Sequence, residues 1–500
     1  MDSPSKTILL IAPRGSAARF LLQTEFLPTL QAAGARIVVM TPEATMPTLS
    51  PRALPDLITV EPLRMPSGPP SGGRVVTLVR ALVGAMRRAA LDGRASPAFG
   101  IRYRRFYAAY REAWPRWLSS AVRWVVMHVL WRSSMLRRLV CWADVSLSRS
   151  VVNSDVFDRH APDLVVGASL GYFKPDEVVF QEAVRRGVRT AALISGWDNP
   201  TSKGYRAVGF DLVVAWSDRM RQEIIRFHDV APDRVKVAGV PHWDAYLSPG
   251  ALPTRGKLCA ILGLDPAKRL VFHATFPPRS NSRSCELIAT ALAEATSSGS
   301  FGDDVQLVIR LHPKHMRPGG KEARRPYERL AAMGSVHVNH PDVVEAAGLR
   351  TEPSLEDGQI LGGLLKHCEV LVNIFSTTTL EAFLLDRPVV MAVPDPSSDA
   401  HDRNSYVANP SLWSDYVHLQ PLVDSGAARV AYSIEELIEH VSTYLDDPSL
   451  EREVRRDIAR LECGPTDGRA GERTARLVLE ELGITPAPAH QVPVPAASSV

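Results

Sequence analysis

Short apolar runs, separated by stretches of helical period, set the plan of this chain. The runs at 7–12 (TILLIA), 36–41 (RIVVMT), 163–169 (DLVVGAS), 189–195 (RTAALIS), 211–216 (DLVVAW) and 234–239 (RVKVAG) are aliphatic and rich in β-branched residues. They are too short for helices and apolar at successive positions, as in parallel strands buried on both faces. Between them, Phe20–Ala33, 175–186 and 218–228 carry apolar residues three and four apart, the helical period. A second series opens at 269–276 (RLVFHATF) and continues through 305–313 (VQLVIRLHP), a helix over 321–332 and a strand over 335–339. In 368–395 (CEVLVNIFSTTTLEAFLLDRPVVMAVPD) a strand at 369–374 meets Ser376, a natural N-cap, and a helix runs to Asp386-Arg387-Pro388 before the strand 389–393. Helices over 433–446, 449–461 and 469–482 follow. This alternation predicts an α/β protein with two Rossmann-like, doubly wound parallel-sheet domains.

Length fits that plan, because 500 residues exceed one ordinary core. The expected division is 1–247, a first unit with a helical insertion at about 80–150; 248–256, a linker rich in Pro and Gly; 257–483, a second unit; and 484–500, a low-complexity, disordered tail. Residues 44–73, dense in Pro and Gly, read as irregular. Cys141, Cys259, Cys285, Cys368 and Cys463 show neither paired nor metal-ligand spacing, which suits a reducing, cytoplasmic setting. The first apolar run is too short for a signal peptide and reads as a strand.

Charge changes the picture locally. The net charge is +4, yet Arg80–Arg149 holds 14 arginines against Asp92, Glu112 and Asp144. Within 98–148, Trp114, Trp117, Trp124, Trp131 and Trp142 interleave with them. Its uncharged stretches fall far short of the ~20 residues of a spanning helix. The composition suits either an amphipathic helix pair on an anionic membrane surface or a helical insertion that turns its arginines to water. No nucleic-acid-binding motif accompanies the charge, so nucleic acid is not an expected partner.

In open parallel sheets, ligands meet the carboxyl ends of strands. There the first unit offers Arg14, Ser195, Trp197, Asp198, Asn199, Thr201, Ser202, Lys203, His242 and Asp244. The second offers His273, Thr275, Arg279, Ser280, Arg310, His312 and Ser376–Thr378. Cationic side chains beside a hydroxylated helix end suit a diphosphate. A carboxylate and a lysine on one loop suit a hydroxyl acceptor and its proton. The loop Pro13-Arg14-Gly15-Ser16 is not a GxGxxG dinucleotide fingerprint.

The motifs SGWDNPTSKG, AWSDRMRQEIIRF, VAGVPHWDAY, FHATFPP, VIRLHPKH and DGQILGGLLKHCEVLVNIFSTTTLEAFLLDRPVV, in this order over roughly 163–480, make the chain resemble the GT-B glycosyltransferases. Their order is most similar to that of the CDP-glycerol glycerophosphotransferases and related surface-polysaccharide enzymes. The resemblance implies that Ser376 and Thr377, with Thr378 beside them, hold donor phosphates and that Glu381 holds ribose hydroxyls. It further implies that Arg310 and His312 approach the diphosphate, and that neither a metal nor another cofactor is needed. Asp198 is the expected base, with His242 and His273 as further catalytic candidates. Ordinary roles stand beside these: Asp198 in an Asp-Asn-Pro turn, structural histidines, Glu381 as a solvated helix carboxylate.

The sequence departs from the glycerophosphotransferases in two places. Asp198-Asn199 follows Trp197 where they carry histidine, and Asn373-Ile374-Phe375 replaces their aspartate and tyrosine. The hydrolysing UDP-N-acetylglucosamine 2-epimerases are also similar in fold, but their acidic, glycine-rich motif is absent. The expected activity is therefore sugar transfer from a nucleotide-sugar donor to a hydroxyl of a glycan or lipid-linked acceptor, in the cytoplasm or peripherally on the inner face of the membrane. The alternatives are polyol-phosphate transfer from a CDP donor, and a GT-B-like scaffold that binds glycan without turnover.

Overall fold

The computed structural model describes residues 6–66, 74–91, 94–95, 121, 124–126, 128–148, 150–278, 282–317, 319–374, 376–393 and 416–485. Arg279, Ser280, much of the tryptophan-rich stretch and nearly all of the tail after Ile484 lie outside the described residues.

Seven strands, β1 (Thr7–Ile11), β2 (Arg36–Thr41), β3 (Ile58–Pro62), β4 (Leu164–Gly167), β5 (Arg189–Leu193), β6 (Leu212–Ala215) and β7 (Val235–Val237), form a first sheet in the order 3-2-1-4-5-6-7. Next come β8 (Arg269–Ala274), β9 (Val305–Arg310), β10 (Val336–Asn339), an antiparallel pair β11 (Val343–Ala346) and β12 (Leu349–Pro353), then β13 (Val370–Asn373), β14 (Val389–Ala392) and β15 (Arg429–Ala431). The six outside that pair form a second sheet in the order 10-9-8-13-14-15. Every pairing within the two large sheets is parallel. β1, β4, β13 and β14, inside the sheets, are buried at every position, the physical reason for their unbroken apolar runs.

The helices that matter here are α1 (Gly15–Leu22), α2 (Arg74–Ala89), α3 (Ser134–Leu147), α4 (Lys174–Arg185), α5 (Asp218–His228), α6 (Leu355–His367), α7 (Thr377–Leu384), α8 (Arg452–Cys463) and α9 (Ala470–Glu481). The apolar positions of 20–33 do not make one helix: α1 stops at Leu22, and Phe26–Ala32 forms a separate one. Residues 44–73, expected to be irregular, contain β3 at the sheet edge.

Sequence patterning assigns α9 to the second unit, but its Ala475, Val478 and Leu479 are buried in the core of the first sheet. Asp244 accepts from the backbone N–H groups of Ala470 (3.0 Å) and Gly471 (2.7 Å) and so caps that returning helix. The chain thus crosses between the sheets twice, outward through 248–254 and back through 464–468. Gly464 at the return has φ +72°, and a Cβ there would collide with the carbonyl of Trp216. A single apolar cluster joins the two halves, running from Val213 and Trp216 through Trp243 and Tyr246 to Leu371 and Val389. All five cysteines are free and buried.

Candidate active site

In both sheets the strand order reverses once, between β1 and β4 and between β8 and β13. Loops leaving such neighbouring strands diverge in opposite directions and open a crevice. At the second reversal lies a cavity of about 260 Å³. The second sheet lines it with Ala274–Pro277, His312 and Ser376–Thr378, and the first sheet contributes Trp197 and Asp198 from the loop after β5. His418 and Leu419 close a third side.

The helix end is built as its sequence predicts. Ser376 is extended (φ −151°), and its Oγ accepts from the N–H of Thr378 at 3.2 Å, capping α7. Asn373 Nδ2 donates to Ser376 Oγ at 3.3 Å and to Thr379 Oγ1 at 3.0 Å, fixing the turn between β13 and α7. Beside it, the N–H of His312 donates to Thr275 Oγ1 at 2.9 Å. Burial, then the charges of Lys314, His315 and Arg317, push the pKa of His312 down to about 3, so its ring is neutral. Since Nδ1 accepts from the N–H of Lys314 at 3.0 Å, the ring proton sits on Nε2, which is left as a donor.

Across the cavity, Asp198 Oδ2 lies 2.7 Å from Lys203 Nζ and accepts from Ser202 Oγ at 2.9 Å. Asp198 and Lys203 keep 30% and 29% of their side chains exposed, so both are open to a ligand. Lys314, from the second sheet, has its pKa lowered by burial and by the charges of Arg317 and Lys203. Cations from both sheets are therefore within electrostatic reach of one another, a field that attracts an anion.

Behind the cavity wall, the Trp197 indole N–H donates to Glu462 Oε2 at 2.9 Å. Arg219 lies 3.0 Å from Glu462 Oε1 and 3.7 Å from Glu223, and donates to the carbonyl of Val417 at 2.5 Å. His418 Nδ1 is 2.7 Å from Thr201 Oγ1, and its ring meets that of Trp197 edge-on at 4.9 Å. Burial raises the pKa of Glu223 to about 8, with Glu462 adding to it, and that of Glu462 to about 7 against the pull of Arg219. One cation thus joins α5, α8 and the segment that carries His418.

Of the residues singled out in the sequence, Trp197, Asp198, Thr275, His312, Ser376, Thr377 and Thr378 come together in the cavity. His242, His273, Arg310, Glu381 and Arg14 are not part of its lining. His273 is fully buried on β8, where Nδ1 donates to the carbonyl of Val372 at 3.0 Å and burial holds its pKa at about 4. His242 packs among Phe20, Trp216 and Trp243, with its pKa well below the usual value, and lines a separate cavity of about 290 Å³ together with Arg19 and Tyr246. Arg310 is buried against Asp357 at 2.6 Å and against Asn339. Glu381, 6% exposed, accepts from the Tyr246 hydroxyl at 2.6 Å with Arg19 close by. Arg14 stacks on Phe173 at 3.1 Å and faces Asp176, away from the cavity. His418 went unnoticed in the sequence, because its neighbours form no periodic element that would place it.

The two reversing parallel sheets and the cleft between them define the GT-B fold. Among solved structures, the chain is similar to a Listeria monocytogenes protein assigned as a UDP-N-acetylglucosamine 2-epimerase, with 13% identity over 96% of this chain and 98% of that one, and a TM-score of 0.50. It is also similar to MnaA of S. aureus, solved with UDP, with 12% identity over 96% and 97% of the two chains and a TM-score of 0.51. No family model matches the chain, nor does any curated protein. At such identities the likeness is one of fold.

Proposed function

We propose that this protein is a GT-B glycosyltransferase that moves a sugar from a nucleoside-diphosphate sugar to a hydroxyl of a surface polysaccharide or glycolipid precursor, on the cytoplasmic side of the membrane. One observation carries the reading: a hydroxyl-capped helix end and neutral His312 line one cavity opposite the Asp198 carboxylate, with Lys203 paired to that carboxylate and Lys314 within electrostatic reach of Lys203. The Asp198 carboxylate takes the acceptor proton as the acceptor oxygen bonds to the anomeric carbon. The bond from that carbon to the diphosphate oxygen breaks, and the leaving charge falls to the N-terminus of α7, to Nε2–H of His312 and to the lysines. Ribose recognition by Glu381 requires the Tyr246 hydroxyl to give up its place on that carboxylate.

The test is thermal stabilisation by UDP, GDP and CDP, followed by product detection with the matching sugar donors. UDP, present in the MnaA co-structure, heads the panel. Stabilisation by one nucleotide and sugar transfer from its donor support the proposal. A folded protein that responds to none of them overturns it in favour of a binding scaffold.

A further inference from the structure

The helices α2 and α3 reverse the usual arrangement of a surface helix. Along α3 the outward stripe is Met135, Leu139 and Trp142, spaced four and three residues apart and 71%, 53% and 67% exposed. Its inward face carries charge: Arg137 Nη2 pairs with Asp229 at 2.8 Å, and Asp144 pairs with Arg87 of α2 at 2.6 Å. The N-terminal half of α2 repeats the pattern, with Val75, Leu78 and Val79 turned outward. Polar groups are thus inside and large apolar groups outside, on two helices that pack together through Ala85, Ala89 and Cys141. A monomer in water gains nothing from such an exposed patch, and patches of this kind mark interaction surfaces.

Charge identifies the partner. Arg132, just before α3, and Arg138 within its outer stripe are exposed, while Asp144, the one acid on the two helices, is buried against Arg87. A face of Trp, Leu, Met and Val flanked by arginines and, among the described residues of the two helices, free of exposed acid fits the headgroup boundary of an anionic bilayer. Among the described residues no helix is long and apolar enough to cross a membrane, so the contact lies on the surface. We infer that the outer face of α2 and α3 docks on anionic lipid, with the Met135–Leu139–Trp142 stripe entering the interface and Arg132 and Arg138 meeting lipid phosphates. The inner side of the helix pair is tied to the chain that follows the Asp198 loop. Arg87 donates to the carbonyls of Tyr205 (3.0 Å) and Arg206 (3.2 Å), directly after the Asp198–Lys203 loop. The inference stands apart from the donor chemistry and needs none of it.

The full-length protein is sedimented with phosphatidylcholine vesicles and with vesicles that also contain phosphatidylglycerol, at low and high salt. The wild type is expected to partition onto the anionic vesicles. The triple variant Met135→Ser, Leu139→Ser, Trp142→Ser should lose roughly 100-fold or more of that partitioning. The pair Arg132→Ser, Arg138→Ser should lose roughly tenfold at low salt and little at high salt, where charge is screened. A blue shift of the emission difference between wild type and Trp142→Phe on vesicle addition places the indole in the interface. Every substituted side chain is exposed, so melting temperature and nucleotide-induced stabilisation serve as unchanged controls. Failure of the wild type to bind anionic vesicles at low salt overturns the inference, as does undiminished binding by the triple variant. So does a wild-type dimer in solution that the triple variant abolishes while vesicle binding is absent, because the face would then join two copies of the chain.

Discussion

Replacing Tyr246 with phenylalanine separates two effects of opposite sign. The ring stays packed where it is, 7% exposed beside Leu252, and only the hydroxyl that donates to Glu381 at 2.6 Å is lost. Glu381 is buried, and burial already raises its pKa against the pull of Arg19 and of that hydrogen bond. A hydrogen bond to a charged group contributes about 1.5–3 kcal/mol, so the unliganded Tyr246→Phe protein should be less stable by up to that amount. Arg19, which remains beside the carboxylate, places the value toward the lower end. If ribose hydroxyls must displace the Tyr246 hydroxyl, the same free energy opposes nucleotide binding in the wild type. Its removal should tighten nucleoside diphosphate binding by up to about 10- to 150-fold. Thermal unfolding of the free protein and calorimetric titration with the nucleoside diphosphate measure the two effects, and Glu381→Ala serves as background. The gain must vanish in the double variant, where no carboxylate is left to release. Unchanged or weaker affinity in Tyr246→Phe would refute the exchange and leave Glu381 as a structural tie between the sheets.

Other expectations follow from the same geometry. Asp198→Asn should lower kcat by about 10²–10⁴ with nucleotide affinity nearly unchanged, read by steady-state kinetics and titration; near wild-type turnover removes the base role. Ser376→Ala loses a cap worth about 1 kcal/mol and should weaken diphosphate binding more than monophosphate binding, which titration of both nucleotides checks. Glu223 and Glu462 titrate near 8 and 7 in the fold against an ordinary value of 4.5, so the folded chain keeps protons that the unfolded chain has released. Stability should therefore be greatest in mild acid and fall as pH rises toward 8, by at most about 1.4 kcal/mol per pH unit for each proton held. Thermal melts from pH 5 upward should show the fall, Glu223→Gln should flatten it, and an unchanged slope in that variant excludes the pair as its source.

The plan of the two sheets was legible because parallel strands buried on both faces must be apolar throughout, as 8–11 and 370–372 are. β3 was hidden because an edge strand tolerates Thr59 and Glu61 between its apolar residues. α2 overlaps the helical insertion expected at about 80–150, but its start at Arg74 and the outward turn of its apolar side were not legible, because a periodic apolar stripe is read as core. At the site, local chemistry was readable: the cap at Ser376 depends on residues within a few positions of it. Long-range partners were not. Nothing near Arg310 in sequence announces Asp357, nothing near Glu381 announces Tyr246, and His418 is held in place by Thr201 and through Arg219 on Val417.

The double crossing of the chain between its sheets determines how they can move. A body tied at one point can swivel and twist; a body tied at two turns only about the line that joins them, as a door does on paired hinges. With 248–254 and 464–468 as the two ties, a swing about the line between them is the one relative motion that the chain path leaves easy. Any such swing would return Asp198 to the same helix end rather than to a neighbouring one. Cutting the chain within 248–254 would leave the halves attached through the other tie and turn a guided swing into a loose swivel.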